Sequence, residues 1–137
     1  MATYNKFQGF VGYLGLGTLN LNTDTLRVYL SNAAPSASAD DVKADLAEIA
    51  TGTDYTGAID TQNTYSETTG TGTCGATDIT ITANTPDVAT FQYVVLFDDT
   101  HASKILIAWW DYGGAVSLGA GESFNIDFQA NTLFTIV

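Results

Sequence analysis

Cysteine, histidine, proline and positive charge are all scarce in this chain of 137 residues. Cys74 is the single cysteine, so no internal disulfide can form and a disulfide-stapled secreted scaffold is excluded. His101 is the single histidine. Without a second His or a second Cys, a His/Cys metal site and a Cys–His nucleophilic pair both lack parts. Lys6, Arg27, Lys43 and Lys104 are the only cations against fifteen acids, a formal net charge of −11. No two of them are close in sequence, so the basic clusters that neutralise phosphates are missing and nucleic-acid binding is not expected. Strong negative charge also opposes association with anionic membranes. No apolar run approaches the ~18 residues of a membrane span. The start, MATYNKFQGF, lacks a charged stretch followed by an apolar one, so no secretory signal is expected.

Apolar residues make up 45% of the chain, enough for a core, while charged residues reach only 14% against the usual ~25%. Thr, Gly, Ala and Asn fill the difference, and they suit strands and turns better than helices. The length is that of one domain, and a chain of this size buries roughly two-thirds of its unfolded surface. A single β-rich domain spanning 1–137 is therefore expected.

The strongest pattern lies between Phe91 and Gly113. Two apolar runs rich in β-branched and aromatic residues, Phe91–Phe97 and Ile105–Trp110, flank the polar link Asp98–Lys104. Their composition and length mark strands, and their near-continuous apolarity implies that both faces are covered. This reads as the central hairpin.

Before it, Phe7, Phe10, Val11 and Leu14 have helical spacing, so Thr3–Leu16 reads as a helix capped by Thr3. Gly9, Gly12 and Gly15 weaken it by up to ~1 kcal/mol each. Thr25–Ser31 alternates, with Leu26, Val28 and Leu30 on one face and Arg27 and Tyr29 on the other, the pattern of a half-buried strand. After a turn holding Pro35, Ala39–Ala50 reads as a second short helix capped by Ser38, with Val42, Leu46 and Ile49 on one face. Thr51–Gly75 reads as a long Thr/Gly-rich loop, with Thr64–Thr69 as a candidate edge strand. Asp78–Ala83, Ala115–Leu118, Ser123–Phe128 and Leu133–Val137 complete the strands, with a turn at Gly113-Gly114. Seven or eight strands at turn spacings of roughly ten residues indicate an antiparallel β-sandwich or jelly-roll-like fold, with one or two short helices near the N-terminus.

Gly70-Thr71-Gly72-Thr73-Cys74-Gly75 matches the dinucleotide-binding glycine pattern by letter. That pattern carries meaning only between a strand and a helix, and no helix follows here, so the glycines read as flexible loop. His101 falls on a hairpin link and reads as a solvated turn residue. Asp98, Asp99 and Asp111 sit at the ends of the central strands. Converging, they would offer oxygens to Ca²⁺ or an acid–base pair for glycoside hydrolysis. Ordinary turn acids fit the same positions with fewer requirements. No catalytic residue, cofactor-binding residue or metal ligand is assigned, and no small-molecule substrate is expected. Trp109 and Trp110 are neighbours on a strand and must point to opposite faces. With Tyr112, Tyr55 and Tyr65 they are the candidates for contact between subunits.

Taken together, MATYNKF, LNTDTLRVYLSNAAP, DVKADLAEIA, FQYVVLFDDT with WWDYG, and SFNIDF…LFTIV resemble a family of small tailed-bacteriophage virion proteins over nearly the whole chain. The resemblance implies a non-enzymatic structural role, first as a protein that decorates or cements the capsid. A tail or neck component comes next; separately, Tyr55, Tyr65 and the Trp109-Trp110 pair beside a polar loop leave open a receptor- or glycan-binding tip module. The resemblance implies the major capsid protein and further copies of itself as partners, in a closed oligomer for which a trimer is the expected form. The location implied is the head surface of the virion, after synthesis in the host bacterial cytoplasm.

Overall fold

A computed structural model describes residues 2–137. The chain is mainly β and every strand pairing is antiparallel. In order come β1 (Thr3–Lys6), α1 (Gln8–Gly15), β2 (Leu26–Ser31), β3 (Ile59–Asp60), β4 (Thr64–Thr68), β5 (Thr71–Gly75), β6 (Ile79–Ala83), β7 (Phe91–Asp98), β8 (Leu106–Val116), β9 (Glu122–Ile126) and β10 (Thr132–Ile136). A five-stranded sheet has the order β1-β8-β7-β2-β3; β10-β5-β4 form a second sheet and β6-β9 a third.

The Phe91–Trp110 hairpin is the centre of the large sheet, as its composition predicts. β7 is flanked by β2 and β8 along nearly its whole length. Both faces are covered. On one, Val28, Leu30, Val94, Leu96 and Ile107 join a main core with Cys74 of β5, Ile81 of β6, Ile126 of β9 and Phe134 of β10. On the other, Phe7, Tyr29, Leu46, Val95, Phe97, Leu106 and Trp109 form a second, smaller core. A bulge in β8 makes this partition possible. Leu96 pairs with Ala108 but Phe97 with Leu106, leaving Ile107 as an extra residue. The extra residue shifts the alternation, so that Leu106 and Trp109, three positions apart, share a face.

Several expected elements take another form. Thr3 does not cap a helix. Thr3–Lys6 is a strand paired with β8, and α1 starts after Phe7, which lends it no side-chain cap. Pairing satisfies backbone groups that an uncapped, glycine-broken first turn would leave open. Within α1, Phe10 is buried against Phe134 at 5.4 Å while Val11 is 54% exposed, so only part of the apolar spacing faces the core. Gly9 has its own reason: a Cβ there would overlap the Asp41 carboxylate, which accepts a hydrogen bond from the Tyr13 hydroxyl at 2.5 Å.

Ala39–Ala50 is not a helix beyond the single 3-10 turn Lys43–Asp45. Its acids satisfy local backbone donors instead. The Asp40 carboxylate accepts from the Ser36 amide at 2.7 Å, and that of Asp45 from the Asp41 and Val42 amides at 3.0 Å each. Such side-chain bonds compete with helix propagation. Ser38 caps nothing here; the neighbouring Ser36 hydroxyl takes the Ala39 amide at 3.2 Å. The segment runs instead as a strap over the second core. Leu106 N–H donates to Asp41 at 3.0 Å, Lys43 N–H to Lys104 at 2.8 Å and Ile49 N–H to Leu30 at 2.9 Å. β2 is consequently buried on both faces, with Arg27 alone half-buried, rather than half-buried as a strand.

Thr51–Gly75 is not one loop. It holds β3 and the β4–β5 hairpin, whose first strand the candidate Thr64–Thr69 overshoots by one residue. Thr68 pairs with Thr71, leaving a two-residue turn in which Thr69 (φ 50°) and Gly70 (φ 84°) are both left-handed. That is the tight turn antiparallel strands favour, so the Gly70–Gly75 pattern is a hairpin and not a flexible loop. Nor does the chain turn at Gly113-Gly114. β8 continues to Val116, with Gly113 at φ 78°. Between Tyr93 and Phe91, β8 advances from Asp111 to Val116, a wide bulge in place of a turn and a separate strand.

Candidate functional site

Of the five aromatic residues expected at a contact surface, the structure brings two together. Trp109 is buried in the second core with its ring 4.6 Å from that of Phe7. Tyr55 is 1% exposed; its hydroxyl accepts from the Leu30 amide at 3.0 Å and donates to Glu48 at 2.8 Å. Neither can meet a partner, so both are corrected to core residues. The loop around Tyr55 reads as polar in sequence, and only the fold places its ring against β2. Tyr65 is half-buried on β4, beside Gly72 of β5 and away from the others.

Trp110 and Tyr112, two residues apart on β8, point the opposite way from Trp109, as strand alternation requires. They line a groove of about 530 Å³ with Tyr4 of β1. Tyr4 is the cross-strand partner of Trp110, and their rings meet edge to face at 5.7 Å. The Trp110 ring lies 5.6 Å from Phe128, and that of Tyr112 lies 5.0 Å from Phe124. Asn125, Asp127 and Gln129 supply the polar lining. They alternate with Ile126 and Phe128, which face the core, so their exposed side chains reach the groove only at its margin. Sequence reasoning missed Tyr4 and the polar rim. Reading Thr3–Leu16 as a helix hides the β1–β8 register, and that register is what sets Tyr4 against Trp110.

Two phenols in this groove are partly screened from water. Burial pushes the Tyr4 hydroxyl up to about 12, with a smaller contribution from Cys74. The Tyr112 hydroxyl is raised by burial first and by the Asp127 carboxylate second. Both are neutral hydrogen-bond donors at physiological pH.

The three candidate acids separate. Asp98 pairs with Leu26 whereas Asp111 pairs with Tyr93, five residues along β7 and roughly 17 Å away. They build neither a Ca²⁺ cage nor an acid–base pair together. Asp99 binds Arg27 at 3.3 Å and Lys104 at 2.9 Å. Asp111 accepts from Gln92 at 3.0 Å and from the Gly113 amide at 2.8 Å, and these bonds hold its carboxyl below the usual range. Asp98 differs from both. It is fully buried, one oxygen accepts from the Thr100 amide at 2.8 Å, and the other has no hydrogen-bond partner. Burial raises its carboxyl above the ordinary range, and the facing Asp24 carboxylate raises it further. Among the described residues no group of three or more His, Cys, Asp or Glu is placed to hold a metal ion. His101 is half-buried on the hairpin link, where its Nδ1 accepts from the Ser103 amide at 3.2 Å.

Cys74 is 0% exposed, and desolvation pushes its thiol up to about 12. Only thiolate reacts, so labelling of the native protein by a disulfide reagent at neutral pH is expected to be negligible and complete after denaturation. Rapid labelling of the native form would show that β5 opens readily.

Among the described residues no helix is long and apolar enough to cross a membrane. Comparisons with protein-family models, with curated proteins and with solved structures find no match to this chain.

Proposed function

We propose that this protein is a non-enzymatic structural component of a bacteriophage virion, a decoration or cement protein that stabilises the head by protein–protein contacts. The resemblance read from the sequence supplies the context. The observation that carries the reading is the exposed margin formed by β1 and α1. β1 ends the five-stranded sheet and, among the described residues, pairs with β8 alone, which leaves its outer backbone edge open. On α1 and its C-cap, which follow it, Val11 is 54% and Leu16 84% exposed. An open strand edge next to exposed apolar side chains is the usual template for adding another chain. The partners are the major capsid protein and further copies of this chain in a closed oligomer, a trimer in the simplest case. Packing of the large sheet over β5, β6, β9 and β10 through one main core supports reading the body as a jelly-roll-like sandwich, stiff enough to bridge subunits. The net charge of −11 suits the outer head surface, away from packaged DNA.

The test is the copy number and position of the protein on purified particles, with Val11→Glu and Leu16→Glu as variants. Density repeating with the capsid lattice, and weaker particle binding by variants that fold normally, is the expected result. A few copies confined to the tail would overturn the reading.

A further inference from the structure

The Tyr4–Trp110–Tyr112 groove has a chemistry that contact between chains does not require. We propose that it is a binding site for a neutral saccharide, whose ring packs on Trp110 and Tyr112 while its hydroxyls bond Asn125, Asp127 and Gln129.

Trp110 and Tyr112 are alternate residues of β8, so their side chains leave the same face about 7 Å apart. Tyr4 extends the row across the β1–β8 pair. A pyranose ring is two-sided in the same way as this groove. Its C–H face is apolar and packs on an aromatic surface, while its edge carries hydroxyls that both donate and accept.

The polar groups are mostly unused. Asn125 accepts through its side-chain oxygen from the Thr80 hydroxyl at 2.8 Å, which fixes the amide and leaves its NH₂ free to donate. Among the described residues Asp127, Gln129 and the Tyr4 and Tyr112 hydroxyls make no side-chain hydrogen bond. Neither phenol oxygen is a buried atom lacking a partner, so both are open to a ligand without breaking a protein bond. A ligand rich in hydroxyls would satisfy acceptor and donors together.

Charge narrows the class further. Asp127 on the rim and a net charge of −11 oppose phosphorylated, sulfated or sialylated ligands, and so favour neutral sugars. At about 530 Å³ the groove falls in the small-ligand range of roughly 300–1,000 Å³, with room for one or two sugar units. The proposal is independent of the head-decoration reading, since a sugar site can sit on a protein of any location.

The two tryptophans make the test direct, because one lines the groove and the other is buried on the far side of the same sheet. Full-length ¹⁵N-labelled protein would be titrated with glucose, galactose, mannose, N-acetylglucosamine and their disaccharides, following the two indole N–H signals. Glucuronic acid and N-acetylneuraminic acid serve as anionic probes. At least one neutral sugar is expected to shift the Trp110 signal saturably and leave that of Trp109 in place. Asn125→Ala and Tyr112→Ala should each weaken that binding by about tenfold, an unmoved Trp109 signal showing that the fold is intact. Gln129→Ala, at a fully exposed position, gives a variant with no folding risk. The proposal is overturned if no neutral sugar moves the Trp110 signal. It is equally overturned if the anionic sugars bind better, or if all three variants bind like the parent.

Discussion

Replacing Tyr29 with alanine is expected to destabilise the protein by about 4 kcal/mol, a large part of the roughly 5–15 kcal/mol that such a domain has in total. The ring is fully buried and packs edge to face on Phe97 at 5.5 Å. Its hydroxyl donates to the Leu46 carbonyl at 2.9 Å, and the Lys43 ammonium sits 4.7 Å above the ring while paired with Glu48 at 2.8 Å. Truncation therefore opens a cavity in the second core and unties the strap at the same point. The effect should have a place as well as a size. Amides of Lys43, Leu46 and Ile49 should exchange with solvent far faster, while those in the β6–β9 sheet change little. Tyr29→Phe keeps the ring and loses the hydroxyl bond, so it should cost about 1 kcal/mol. Denaturant midpoints and hydrogen exchange measure both. If Tyr29→Ala cost no more than Tyr29→Phe, the strap would not be packed on β2 as described.

Asp98→Asn is expected to act in the opposite direction and stabilise the protein at neutral pH by on the order of 1 kcal/mol. The wild-type carboxylate is fully buried, has an oxygen without a donor and faces Asp24. An asparagine is the same size. Its oxygen can still accept from the Thr100 amide, which Asp98 engages at 2.8 Å, and its NH₂ can donate to Asp24. The sign of the pH dependence follows from the raised carboxyl. The folded state holds this proton more tightly than the unfolded chain, whose Asp titrates near ~3.9. Its stabilising contribution is therefore complete below that pH and is lost as pH rises through the higher folded-state value. The gap between variant and wild type should open as pH rises from the unfolded-state value through the folded-state one. Thermal melts from strongly acidic pH upward would show it. A variant less stable than wild type at neutral pH would mean that Asp98 has a favourable partner in its ionised form.

The readings that held rest on local pattern. β-Branched and aromatic runs at Phe91–Phe97 and Ile105–Trp110 produced paired central strands with two covered faces. Alternation sent Trp109 and Trp110 to different layers. The readings that failed depend on what lies opposite. Phe7 and Leu46 have helical spacing within their segments, yet both come to lie in one small core beneath β2, β7 and β8. Tyr29, assigned to an outward face by alternation alone, is buried because a segment twelve or more residues later crosses over it. Tyr55 followed the same course.

Residue types and their spacing were enough to give the strand-rich class, the central hairpin, the excess of acids and the lack of an internal disulfide. These follow from residue type and near-neighbour spacing, which act through the backbone and the hydrophobic effect whatever the rest of the chain does. Packing between distant segments made β1 a strand and the Asp40–Ile49 region a strap, and set Tyr4, Trp110 and Tyr112 in one groove while keeping Asp98 and Asp111 apart. Those outcomes hang on register between distant segments. A shift of one residue in the β1–β8 pairing would turn Tyr4 to the other face.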